Sequence, residues 1–363
     1  MPKVAVMGYG VVGGGVAEML MRGQTQRVSK MLPDALTLAA VLDIREVPDA
    51  PCAGLFIKDF ALIEQNPEIR IVAETIGGTR AAFDFTKRAL NAGKHVVTSN
   101  KELVAAHGAE LLALAEKKGV NYLFEASVGG GIPLIRPISH CLAANRISEV
   151  CGILNGTTNY ILTRMHENGL SMLEALDEAR AKGYAEADPS DDIEGKDACR
   201  KISILASLAF GRHMYPNFVP TQGISYISRK HMEEAARAGG EIKLIARARA
   251  AGEKTDILVA PHVVDNGHPL AGVRGVNNAV LVRGDASGDV MFYGRGAGRM
   301  PTASAVMADI IHCALHINEN TFPGWEDSSN DLTVELPGTE LIRFSDGTAM
   351  RRLRKSAPPE QAE

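Results

Sequence analysis

Glu186, Asp188, Asp191, Asp192, Glu194 and Asp197 crowd the stretch 183–201, which runs straight into the apolar segment 202–210. A helix starting near Asp191, with Asp191 as N-cap and Glu194 three residues on, accounts for part of this acidity. Carboxylates there satisfy orphan backbone N–H groups and suit the helix dipole. Asp197 and Lys201 need another account, because at i,i+4 they share a face with Leu205 and Leu208, the face that should point inward. Two readings stand. One is a solvated acidic helix start with an ordinary ion pair, worth little. The other is a substrate pocket in which a partly desolvated Lys201, its pKa lowered toward neutrality, transfers a proton while Glu186 and Asp197 hold a cationic or hydroxylated ligand.

The elements that would position such a pocket begin with an apolar strand at 3–7. The turn Gly8-Tyr9-Gly10-Val11-Val12-Gly13 follows, then helical periodicity over 12–22. G-x-G-x-x-G between a strand and a helix lets a pyrophosphate approach the helix N-terminus. A second strand at 36–42 ends at Asp43, where a carboxylate can accept from an adenosine ribose. Residues 24–34 read as a loop insertion that lengthens the gap before it. Glycine turns and strand-ending aspartates also serve packing and turn chemistry, but the three features together point to a dinucleotide.

Strands at 69–76, 95–98 and 122–126 then alternate with helices at 80–92 and 101–118. The pattern implies an α/β, Rossmann-type parallel sheet whose ligands lie beyond the carboxyl ends of its strands. Three such ends are rich in polar residues and glycine: Thr75 to Thr79, Thr98 to Lys101, and Glu125 to Pro133. Lys101 is either a surface lysine or one that faces a ligand; a cation in the first turn opposes the helix dipole and favours the second. Beyond Pro133 come a helix at 134–144, a strand at 149–154 and a helix opened by Asn155-Gly156-Thr157-Thr158-Asn159-Tyr160. The stretch 241–292 reads as a helix with antiparallel strands, and 302–315 as a helix returning to the first domain. From His316 the chain reads as irregular, and 351–359 as frayed.

With 363 residues, 45% hydrophobic and 23% charged, the chain is long enough for two domains. A net charge of -4 gives no reason to expect nucleic acid or an anionic membrane surface. Five scattered cysteines without metal-ligand spacing read as reduced thiols. Without a signal-like N-terminus or a membrane-length apolar run, the expected location is the cytoplasm.

The ordered set of motifs resembles the homoserine dehydrogenases. It comprises the glycine turn, Ile76-Gly77-Gly78-Thr79, Asn100-Lys101, Glu125 to Pro133, Ile153 to Tyr160, Gly183 to Lys201, and Tyr293-Gly294-Arg295-Gly296-Ala297-Gly298 with Pro301 to Ala305. The resemblance spans roughly residues 3–315 and favours the pocket reading. It implies NAD(P)-dependent interconversion of L-homoserine and L-aspartate 4-semialdehyde in threonine, methionine and isoleucine biosynthesis. Implied catalytic residues are Lys201 and Lys101; implied substrate ligands are Glu186, Asp197, Tyr184, Asp192 and Thr157. Cofactor contacts are expected at Gly8, Gly10, Val11, Val12, Gly13, Asp43, Arg45, Ile76, Gly77, Lys101, Gly183 and Gly296. The resemblance also implies a sodium ion on backbone carbonyls of Glu125, Val128, Gly130 and Ile132, and a homodimer built through the second domain.

The expected division is 1–132 for the dinucleotide, 133–294 (α+β) for substrate and dimerisation, a return helix within 295–320, and a tail at 321–363. That tail lacks the βαββαβ rhythm of the amino-acid-sensing domain many bacterial members carry. Asp43 favours NAD, Arg45 can pair with a 2′-phosphate, and dual use with a modest NADP preference is expected. Two rivals remain: another two-domain amino-acid dehydrogenase acting on a C–N bond, and a catalytically silent dinucleotide-binding regulator.

Overall fold

The structure is a computed structural model that describes residues 2–23, 26–32, 35–252, 254–322, 324–327, 332–333 and 340–354. It divides into two compact units, residues 1–136 with 297–327, and 137–296 with 328–363.

In the first unit, strands β1 (Lys3–Met7), β2 (Thr37–Leu42), β3 (Phe56–Ile57), β4 (Ile69–Glu74), β5 (His95–Thr98) and β6 (Tyr122–Leu123) form one sheet. All pairs are parallel, in the order β3-β2-β1-β4-β5-β6. The crossovers carry α1 (Val11–Met21), α2 (Gln26–Met31), α3 (Ala61–Glu64), α4 (Arg80–Asn91) and α5 (Lys101–Lys118). Strand order reverses between β1 and β4, the switch point beyond which open α/β sheets bind their ligands. Val4, Val6, Ile71, Val72, Val96 and Val97 are completely buried, as strands covered on both faces require. α5 is bounded by chemistry at both ends. Asn100 accepts from the Leu103 amide at 3.0 Å, and Gly119 takes the left-handed conformation. The segment 24–34, read as a loop, contains α2; Gln24, Thr25, Pro33 and Asp34 lie outside the described residues.

In the second unit, β7 (Ile147–Ile153) leads into α6 (Gly156–Asn168), α7 (Met172–Ala181), the single turn α8 (Ser190–Ile193), α9 (Lys196–Phe210) and α10 (Arg229–Arg237). Strands β8 (Gly240–Ala251), β9 (Lys254–Asp265), β10 (Asn277–Gly284) and β11 (Gly288–Arg295) follow. After α11 (Arg299–Leu315), which belongs to the first unit, come β12 (Leu332–Thr333), β13 (Leu341–Arg343) and β14 (Ala349–Leu353). The sheet runs β11-β10-β7-β8-β9-β14-β13, with β12 beside β9. Its β11 to β9 portion is antiparallel, whereas β14 and β12 run parallel to β9. One row across it alternates charge, Arg283, Glu149, Arg249 and Asp256 lying in register on four neighbouring strands; opposite charges directly across a sheet stabilise the pairing.

Four further expectations are corrected in whole or in part. The helix expected at 134–144 is present but shorter, over 135–141, and its Pro137–Cys141 portion is a π-helix, with Leu142 donating to the Pro137 carbonyl; Pro137 has no N–H to extend the ordinary ladder. No helix lies among the described residues of 241–292, because Arg247 and Arg249 alternate with buried Ala246 and Ala248 in strand β8. Residues 351–353, read as frayed, belong to β14, while 355–359 lie outside the described residues. Finally, Asp191 does not cap the long acidic-stretch helix. Residues 190–193 form a separate turn after Pro189, Gly195 breaks the chain with φ +79°, and α9 starts at Lys196.

Candidate active site

The glycine turn is shaped by two close approaches. A Cβ on Gly13 would collide with the Gly8 carbonyl oxygen and with Thr75 Oγ1, whereas one on Gly10 would meet no protein atom within 4 Å. Gly10 therefore faces open space where the unpaired N–H groups of α1 begin, as a pyrophosphate requires. Val11, at the first position of α1, is 67% exposed, and Val12 is half-buried beside it. Along one face of the same helix a cavity of about 270 Å³ is lined by Tyr9, Gly14, Glu18, Met21, Arg22, Pro51 and Arg299.

At the end of β2, Asp43 is buried while the Arg45 side chain is 59% exposed. The Asp43 carboxylate accepts the Tyr9 amide at 2.7 Å, the Arg45 amide at 2.9 Å, and the Arg45 guanidinium at 3.0 Å and 2.8 Å. The guanidinium also donates to the Tyr9 carbonyl. These bonds, the Arg45 side chain's foremost, hold the Asp43 carboxyl far below the usual carboxylate range. The two residues read from sequence as opposing signals are thus one ion pair.

Ile76 is half-buried and Gly77 exposed at the end of β4. The Asn100 side chain donates to the carbonyls of Ile76 at 3.0 Å and Gly78 at 2.7 Å while capping α5, so this turn and Lys101, the first residue of α5 and itself half-buried, are tied together.

The loop after β6 is organised by Glu125. Its carboxylate accepts the amides of Leu134 at 2.5 Å, Ile135 at 2.8 Å and Arg136 at 2.8 Å. Its own amide donates to Asp309, which also accepts from Arg136 at 2.6 Å. Burial and the Glu125 charge push the Asp309 carboxyl up to about 7. Val128 and Ile132 are buried in this loop, and Gly130 turns it with φ +56°. Among the described residues no group of three or more His, Cys, Asp or Glu side chains is arranged to hold a metal.

In the second unit Lys201 and Asp197 are 8% and 3% exposed and form an ion pair at 2.7 Å. Lys201 also donates to the Leu154 carbonyl at 2.9 Å. Asn155 completes the cluster, its amide nitrogen donating to Asp197 at 2.9 Å and Asp192 at 2.6 Å while its oxygen caps α6 by accepting from Thr158. Thr157 donates to the Tyr184 carbonyl at 2.8 Å, which anchors the start of the acidic stretch on α6. The pair is therefore interior, and the reading of this stretch as a solvated helix start fails for these two residues. Breaking such a pair from one side strands a buried charge, at a cost of roughly 3–5 kcal/mol. The remaining acidic residues are peripheral. Glu186 is exposed and has no ion pair or hydrogen bond among the described residues, and Asp191 pairs with Arg200. Gly183 is exposed, and its φ of +71° ends α7. Gly296 lies against the Asn278 amide with no room for a Cβ.

Sequence reasoning passed over Asn155 as the residue joining Lys201's partner to Asp192. The available signal was an asparagine immediately before a helical run, which marks an N-cap whose second polar atom is left to reach elsewhere. It also passed over Glu74, buried at the last position of β4.

A sheet of this strand order with an open glycine turn at its switch point defines a dinucleotide-binding protein, here joined to a second α+β unit with a buried lysine–carboxylate pair. The family model "Homoserine dehydrogenase, NAD binding domain" matches residues 8–125, and "Homoserine dehydrogenase" matches 133–311. A homoserine dehydrogenase of Neisseria gonorrhoeae is 41% identical over 322 residues, covering 88% of this chain and 74% of the relative. The crystal structure of a homoserine dehydrogenase from Thiobacillus denitrificans superposes with a TM-score of 0.85 at 38% identity, covering 92% of this chain and 79% of that one. A hyperthermophilic archaeal homoserine dehydrogenase mutant in complex with NADPH has a TM-score of 0.72 at 25% identity, over 86% and 98% of the two chains. The chain belongs to the homoserine dehydrogenase family.

Proposed function

We infer that the chain interconverts L-homoserine and L-aspartate 4-semialdehyde with NAD(P), and that the buried Lys201–Asp197 pair, fixed by Asn155 and the Leu154 carbonyl, is its proton-transfer centre. The pair carries the reading, because an ammonium held among oriented acceptors is preorganised to meet a developing alkoxide. The nicotinamide cofactor, when bound, supplies or accepts the hydride. In the reductive direction Lys201 gives a proton to the carbonyl oxygen, and in the oxidative direction it takes one from the hydroxyl. Lys101 is the second lysine, held near the nicotinamide by the first unit. Asp197 and Glu186 hold the substrate's ammonium group, with Tyr184, Asp192 and Thr157 shaping the site. Replacing Lys201 by alanine is expected to lower kcat by about 10² or more, the scale of general acid–base catalysis, with cofactor affinity nearly unchanged. Wild-type turnover in that variant would make Lys201 a structural residue.

The first unit binds the cofactor through Gly8, Gly10, Val11, Val12, Gly13, Ile76 and Gly77. The open face at Gly10 and the acidic end of β2 fit the group. Arg45 neutralises Asp43 and leaves an exposed guanidinium edge, which supports use of both cofactors with a modest preference for NADP.

A sodium ion on the carbonyls of Glu125, Val128, Gly130 and Ile132 fits its surroundings. Two buried carboxylates, Glu125 and Asp309, lie there, Arg136 giving its backbone amide to the first and its guanidinium to the second. A homodimer through the second unit is supported by the edge strand β11, where Met291 and Tyr293 are 42% and 54% exposed. Mass in solution and the sodium dependence of turnover check these two points. Among the described residues no helix is long and apolar enough to cross a membrane, which is consistent with a cytoplasmic enzyme.

A further inference from the structure

Strand β4 is filled by Ile69, Ile71, Val72 and Ala73 and then ends in Glu74, which has no solvent exposure. A carboxyl at the end of an interior strand adds nothing to packing and is costly to bury, so its hydrogen bonds must account for it. One oxygen accepts the Ile76 amide at 2.7 Å, bending the chain into the Ile76–Gly78 turn. The other accepts the hydroxyl of Thr98 at 2.5 Å, its neighbour in register at the end of β5. The Thr98 oxygen in turn accepts the Asn100 amide at 2.9 Å. The Asn100 side chain closes the ring on the carbonyls of Ile76 and Gly78, and its oxygen caps α5 at Leu103. Three bonds of this circuit, from Thr98 to Glu74 and from Asn100 to Ile76 and Gly78, join the turn at the end of β4 to the residues immediately before Lys101.

We propose that Glu74 is a positioning residue for the reaction, acting through Thr98 and Asn100 to lock the Ile76–Gly78 turn against the start of α5 and so fix Lys101 relative to the bound nicotinamide. The assignment rests on the reading that this turn and Lys101 face the cofactor. Small misplacements of a group near the reacting atoms cost large factors in rate, whereas a carboxyl that only satisfied the Ile76 amide would affect stability alone.

The test uses the full chain with Thr98→Val, Glu74→Leu and Glu74→Gln. Cofactor dissociation is measured without substrate by nicotinamide fluorescence, and kcat and KM are measured with homoserine. Thr98→Val and Glu74→Leu are expected to weaken cofactor binding several-fold and to lower kcat by about tenfold or more, on the scale of lost positioning, with KM for homoserine within about twofold. Glu74→Gln should recover most of both, since its oxygen still accepts the Ile76 amide and its amide can donate to Thr98. Unchanged kcat and cofactor affinity per folded molecule in Thr98→Val, with only thermal stability reduced, overturns the proposal. This near-isosteric variant decides the matter even where Glu74→Leu does not fold. Absence of homoserine turnover in the wild type would count against the proposed function instead, and the substrate-free binding measurement would still report on Glu74.

Discussion

At the level of single residues, the type of a side chain was easier to read than its partner. Lys201 and Asp197 stood out because a charged i,i+4 pair lay on an apolar helix face, and both are buried. Asp43 and Arg45 were also conspicuous, but sequence treats them as independent votes on the cofactor, whereas in space they form a pair with three side-chain or backbone contacts from Arg45 alone. On the proposed reading Arg45 has two roles, cancelling the charge that repels a 2′-phosphate and offering its own. Its replacement by alanine is expected to raise KM for NADP several-fold and leave KM for NAD little changed. Kinetics with both cofactors check this; an unchanged ratio of specificity constants would assign Asp43 the dominant role. The sodium site proposed at the carbonyls of Glu125, Val128, Gly130 and Ile132 has no residue-level signal, because a backbone ligand leaves no mark on side-chain type.

Among the elements, those with chemistry at both ends were the most legible. The helix Lys101–Lys118 was bounded correctly because Asn100 and Gly119 flank it. The start of α9 was misplaced because several acidic residues can cap a helix, while only the left-handed turn at Gly195 decides which stretch continues. Strand β8 was obscured by alanine and arginine, good helix formers that the Arg247–Glu149 cross-strand pair overrides. The hairpin β13–β14 was legible and overlooked: Asp346-Gly347 between Leu341-Ile342 and Ala349-Met350 is a strong hairpin signal, and Gly347 has φ +90°.

Coupling between elements also has a pH signature. Burial pushes the Glu74 carboxyl up to about 7 from its ordinary 4.5. An acid with a raised folded-state value keeps a proton that the unfolded chain releases, so its stabilising contribution is complete below about pH 4.5 and is lost as pH rises to about 7. The loss is on the order of 3 kcal/mol. Glu74→Gln should therefore gain thermal stability relative to wild type as pH rises from about 5 to 8. A melting-temperature difference independent of pH would show that Glu74 is not held protonated by its burial.

For the molecule as a whole, the proposed function draws on two features of one chain: a parallel sheet open at its switch point, and an α+β unit with an interior lysine–carboxylate pair. The first was legible from alternating strands and helices. The second was legible only as a set of ordered motifs, since nothing local to Gly183–Lys201 says that Asn155, more than thirty residues earlier, will reach Asp192 and Asp197. The measurement that bears most directly on the central claim is the initial rate of nicotinamide reduction when L-homoserine is added to the folded full chain, with NAD and with NADP. The account predicts homoserine-dependent reduction of both cofactors, faster at low concentration with NADP, and no comparable rate with amino acids that lack the hydroxyl. Absence of reduction with either cofactor, in protein shown to be folded, would contradict it.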